Sequence, residues 1–124
     1  MDPRKADMPQ TKIGLLISPD LFFTSKVTGT AQAMGLRVTA VDDIASAARL
    51  SGDAIACVLL DLSAPRVSVA DILAVMPGVP VIAFGSHVNV ELLEAARLAG
   101  AEVMPRSQFA STLPAILQKH LGAN

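Results

Sequence analysis

Short apolar runs alternate with segments of helical periodicity five times along this chain, one pair to about every 20–25 residues. Such alternation specifies a parallel sheet, because parallel neighbours need a long crossover and a helix supplies it. Right-handed crossovers leave few ways of threading five strands. The simplest doubly wound order is 2-1-3-4-5, with its switch point between strands one and three. The expected fold is therefore α/β: a five-stranded parallel sheet with five helices on its two faces.

The clearest strand is Ala56-Cys57-Val58-Leu59-Leu60, which runs straight into Asp61 and then Leu62-Ser63-Ala64-Pro65. A short unbroken apolar run, bounded by Gly52-Asp53 and Pro65, fits a strand buried on both faces. Ligands of open parallel sheets gather beyond the carboxyl ends of the strands, and Asp61 stands there. The other strands are read at residues 12–17, 36–41, 79–84 and 102–104, with strand three at 55–60.

Helix one runs to about Met34, with Leu21, Phe23, Val27, Ala31 and Met34 as its stripe and Gly35 as its stop. Ser18-Pro19-Asp20 reads as its start: Ser18 as N-cap, Pro19 at the first helical position, Asp20 at the positive end. Helix two covers about 44–50 after Asp42-Asp43 and is closed by Ser51-Gly52; helix three covers 68–75; helix four covers 90–99, stopped by Gly100. The last helix lies between Ser107 and Leu121. Pro114 removes a helix hydrogen bond and moves its expected start to near Ser111. Residues 1–11, with Pro3 and Pro9, read as a loose tail ahead of one domain over 12–122.

Hydrophobic residues make up 52% of the 124, so the chain is not disordered. A formal net charge of −1, from 10 basic and 11 acidic residues, argues against a nucleic-acid partner. The single Cys57 excludes an internal disulfide and a cysteine-cluster metal site, and reads as a buried thiol. No apolar run approaches the ~18 residues of a membrane span, and the polar N-terminus lacks a signal-peptide core. The expected location is the cytoplasm, with no membrane partner. With four Phe, no Trp and no Tyr, Ala, Val and Leu must fill the core, with apolar surface left over for a partner.

The sheet order puts Ser18, Asp20 and Asp61 at the mouth of one crevice. Helix capping explains Ser18 and Asp20; amides at that helix start also suit an anion, though Pro19 removes one donor. Ser86-His87 beyond strand four, with Asp61, invites a hydrolase reading. Adjacent loop residues rarely point together, and no nucleophile elbow is present. A solvated loop and no enzymatic activity are expected. His120 is expected to be exposed beside the negative end of the last helix.

On these residues the chain resembles the receiver domains of two-component response regulators, which are flavodoxin-like, over about residues 12–121. The resemblance rests on Val58-Leu59-Leu60-Asp61-Leu62 followed by Pro65, on Val79-Pro80-Val81-Ile82-Ala83-Phe84, and on Ala99-Gly100-Ala101-Glu102, in that order and at receiver spacing. It implies that Asp61 holds the phosphoacceptor position. Attack by an anionic carboxylate on an anionic donor needs Mg²⁺ to neutralise the developing charge, and Mg²⁺ wants carboxylate oxygens. The family's two acidic residues after strand one are replaced here by Ser18 and Pro19, with Asp20 one position late. Its Thr or Ser at the end of strand four is Gly85, with Ser86 one later. Its Lys after strand five is Arg106, and its switch aromatic in strand five is Val103.

The resemblance with these departures implies a degenerate, stand-alone pseudo-receiver. It would act in signalling through protein–protein interaction, without Mg²⁺-dependent aspartyl phosphorylation and without metal or cofactor. An Asp61–Arg106 ion pair would lower the carboxyl pKa. With no room for an output domain in 124 residues, the signal would leave through the domain's own surface. Leu92, Leu93, Ala96, Leu98 and Ala99 exceed one buried stripe. The face of helix four, strand five and the last helix is thus the expected surface for a signalling partner or a homodimer. The alternative is a functional single-domain response regulator, phosphorylated on Asp61 by a histidine kinase with Mg²⁺ as cofactor, using Asp20 and Ser86 in shifted roles. A third reading is a small-ligand module of flavodoxin-like architecture, for which the sequence offers no cofactor fingerprint.

Overall fold

The computed structural model describes residues 12–50 and 54–122. The expected tail over 1–11 and the Ser51-Gly52 helix stop lie outside the described residues. Five strands alternate with five helices among those described: β1 (Ile13–Ile17), α1 (Leu21–Ala33), β2 (Arg37–Val41), α2 (Ile44–Arg49), β3 (Ile55–Asp61), α3 (Val69–Val75), β4 (Val81–Gly85), α4 (Val90–Leu98), β5 (Glu102–Pro105) and α5 (Arg106–Leu121). The strands form one sheet in the order β2-β1-β3-β4-β5, every neighbouring pair parallel. This is the doubly wound order that the alternation implies.

Side chains on a strand alternate between faces, and the central strands are apolar on both. Leu15, Ile17, Val58, Leu60, Val81 and Ala83 belong to one core with Ala47, Val69, Ile72 and Ala96 of α2, α3 and α4. Leu16, Cys57, Leu59, Ile82, Phe84 and Met104 belong to the other, with Phe23, Val27, Phe109, Leu113 and Leu117 of α1 and α5. Gly14 permits a close approach on this second side. A Cβ there would stand 3.1 Å from Leu121 Cδ1 and 3.3 Å from Val38 Cγ2. Gly35 and Gly100, just past α1 and α4, take positive φ of 73° and 113°, which glycine adopts at little cost.

Four details differ from the sequence expectation. Ser18 is not the cap of α1: Asp20 is, its side chain accepting the Phe23 N–H, so the helix begins at Leu21. Leu21 is 80% exposed and drops out of the apolar stripe, leaving Phe23, Val27 and Ala31 buried. The last helix starts at Arg106 and runs through Pro114. Pro114 lies on the exposed side, and the inward contacts of Phe109, Leu113, Ile116 and Leu117 hold the helix together across the missing hydrogen bond. His120 is half-buried rather than exposed; burial is the largest influence on it and, with Lys119, pushes its pKa down.

Candidate functional site

Period-two alternation carries directly into the site. Asp61 ends β3 two residues beyond Leu59, so it points to the α1/α5 side, in register with Phe84 of β4. Ser18 follows Leu16 by two and Arg106 follows Met104 by two, and both turn to that same side. The three side chains meet there.

Asp61 is fully buried and both its oxygens are engaged. Oδ2 accepts from Ser18 Oγ at 2.7 Å and from Arg106 Nη1 at 3.3 Å. Oδ1 accepts from the Ser63 N–H at 2.9 Å, from Ser63 Oγ at 2.7 Å and from Arg106 Nη2 at 3.0 Å. Burial is the largest single influence on this carboxyl and would raise its pKa. The Ser63 hydroxyl, Ser18, the Ser63 N–H and Arg106 together outweigh it and hold the carboxyl below its ordinary value.

Arg106 is the first residue of α5, and its side chain is 34% exposed. Its guanidinium carbon lies 5.1 Å from the ring centre of Phe23 and 5.4 Å from that of Phe84. Both distances are within cation–π range. Phe84 stacks on Phe109 at 4.1 Å and 15°, and Phe23 packs against both rings at 5.1 and 5.8 Å. Phe23 and Phe84, backed by Phe109, thus form an apolar bed under a cation whose other edge faces Asp61.

The remaining sequence candidates lie around this pair without joining it. Asp20 Oδ1 takes the Phe23 N–H at 3.0 Å, and the Asp20 N–H donates to Ser18 Oγ at 3.2 Å. Pro19 is exposed. A side chain at Gly85 would meet Leu62 and Leu93, on the α2–α4 side of the sheet. Ser86 is exposed, its Oγ accepting from the Val88 N–H at 3.4 Å, and its neighbour His87 is exposed too. Val103 is half-buried and packs against the α2–α4 core. Among the described residues no cluster of three or more His, Cys, Asp or Glu side chains is placed to hold a metal ion, and no helix is long and apolar enough to cross a membrane.

Sequence reasoning did not single out Ser63 or Phe23 and Phe84 as site residues. The spacing offered a signal for the rings: Phe84 is the register partner of Asp61 once strands three and four are aligned side by side.

No family model and no curated protein matches the sequence. Solved structures do match. The receiver domain of NtrX from Brucella abortus superposes with a TM-score of 0.74 at 22% identity, over 90% of this chain and 99% of that one. Against a longer NtrX chain the TM-score is 0.73 at 21% identity, and the match spans 91% of this chain but 27% of that one. The receiver domain of sensor histidine kinase PA1611 from Pseudomonas aeruginosa, solved with a magnesium ion coordinated in its active-site cleft, gives 0.73 at 23% identity over 93% of this chain and all of that one. The fold is that of a response-regulator receiver domain.

Proposed function

We propose that this chain is a receiver-fold signalling domain that works by binding another protein and does not accept a phosphoryl group on Asp61. The observation that supports this reading is the bidentate Asp61–Arg106 pair. It sets a permanent cation against the carboxylate where phosphotransfer would need a dication.

The residues around Asp61 do not fit Mg²⁺. That ion wants several oxygen ligands in octahedral array, usually with more than one carboxylate or with phosphate. Among the described residues one carboxylate stands at this position, and both its oxygens already accept hydrogen bonds. The other nearby acid, Asp20, is engaged by its own helix. Ser18 donates to Asp61 rather than offering lone pairs in its direction. A dication seated beside the guanidinium would be repelled by it.

Apolar exposure on and just before α4 supports an output through that face. Val88 is 74% exposed, Val90 66%, Leu92 38% and Leu98 76%. The proposed occupants are a signalling protein or a second copy of this chain, in the cytoplasm. Incubation with acetyl phosphate and Mg²⁺, followed by intact-mass measurement, tests the reading. Unmodified protein is expected. An adduct mapped to Asp61 would instead establish a phosphate-accepting receiver domain.

A further inference from the structure

An open cleft of about 430 Å³ lies between α1, the loop after β4 and the start of α5, lined among others by Phe23, Lys26, Ser86, His87, Arg106 and Ser107. Its chemistry is one-sided. Lys26 and Arg106 bring positive charge, His87 an imidazole, and Ser86 and Ser107 hydroxyls, and among the described residues no carboxylate lines it. Among the described residues the Lys26 ammonium has no hydrogen-bond or ion-pair partner.

Arg106 is pre-oriented rather than consumed. A guanidinium carries five N–H donors, and Asp61 takes one from each terminal nitrogen. The start of α5 borders the same cleft through Arg106 and Ser107, and its N-cap, Pro105, makes no side-chain capping bond, so the positive end of a 16-residue helix lies at the cleft's edge. Phe23, Pro105 and Ala110 give the cleft an apolar side. Its volume lies in the lower part of the range of small-molecule sites.

We propose that this cleft binds a small phosphate monoester, its dianion between Lys26, His87 and the start of α5 and its organic part against Phe23 and Pro105. Phosphate fits better than carboxylate. Its three terminal oxygens can each accept hydrogen bonds, and its charge near −2 is drawn to the Lys26 ammonium and to the N–H donors that Arg106 does not give to Asp61. The inference goes beyond the reading above and fails separately from it, since its test contains no metal and no activated phosphoryl donor.

Amide ¹H–¹⁵N spectra recorded in magnesium-free buffer with phenyl phosphate, inorganic phosphate and phenol test it. Saturable shifts are expected at Lys26, Ser86, His87 and Ser107 with phenyl phosphate, weaker ones with inorganic phosphate and none with phenol. Lys26→Glu, at an exposed position outside the Asp61 pair, should weaken phenyl phosphate binding at least about tenfold by reversing one facing charge. Its spectrum elsewhere shows whether it is folded, and His87→Ala should weaken binding independently. Shifts that do not saturate, or that ignore both substitutions, would overturn the site. Equal binding of phenyl and inorganic phosphate would overturn the monoester assignment.

Discussion

Arg106 meets Asp61 edge-on, Nη2 at 3.0 Å from Oδ1 and Nη1 at 3.3 Å from Oδ2. The two residues are 45 apart in sequence and lie at the carboxyl ends of β3 and β5, with β4 between them. Phe84 of that middle strand lies under the guanidinium. The pair therefore ties three strands together at the mouth of the sheet.

Removing both partners should cost less than the two single removals added together. Arg106→Met leaves a buried carboxylate with hydroxyl and amide donors alone, and should lower the unfolding free energy by about 2–4 kcal/mol. Asp61→Asn combined with Arg106→Met should lose less than the sum of the single changes, with a coupling of about 1–2 kcal/mol. Denaturant unfolding of the four proteins measures it.

The same carboxyl makes stability fall in acid. Its folded pKa lies below the ordinary 3.8, so its contribution is complete above that value and is lost as pH falls through the folded one. Asp43 also titrates low through its cap on α2, chiefly by the Ser46 N–H, and adds a contribution in the same direction. Asp61→Asn should flatten the acid limb below about pH 4 relative to the unsubstituted protein. Melting temperature against pH for both proteins isolates the Asp61 share.

Overpacking at Gly14 gives a test of the α5 docking. The 3.1 Å approach to Leu121 Cδ1 leaves no room for a branched side chain. Gly14→Val should destabilise by about 1–3 kcal/mol, and Leu121→Ala in the same chain should recover part of that loss.

Cys57 should behave as a core atom. Burial pushes its thiol up to about 12, and its side chain is fully enclosed. The reactive species is the thiolate, so a thiol reagent at mildly alkaline pH should label the native protein only as fast as it unfolds, and the denatured protein at once.

Much of this architecture is legible in the chain itself. The Ala56–Asp61 run, the glycine stops at Gly35 and Gly100, and the fivefold alternation lead to the sheet order, because each rests on local pattern and on few allowed crossovers. The local signals misled at Ser18-Pro19-Asp20. Capping chemistry reads well on either Ser18 or Asp20, and only the strand alternation through Leu16 tells that Ser18 turns inward. Pro114 misled in the other direction, since intrinsic helix cost was outweighed by an inward stripe that straddles it. Ser63 is a local partner two residues beyond Asp61 and Phe84 follows from the strand register, whereas Phe23 was illegible because it joins them only through the packing of α1 on the sheet.

Magnesium binding at Asp61 is the most direct test. In a titration followed by the amide signals of Ser18, Asp61, Ser63 and Arg106, added Mg²⁺ should cause no saturable shift, and beryllofluoride added with it should leave those signals in place. Saturable binding lost in Asp61→Asn, with Arg106 released from the carboxylate, would contradict the proposed role.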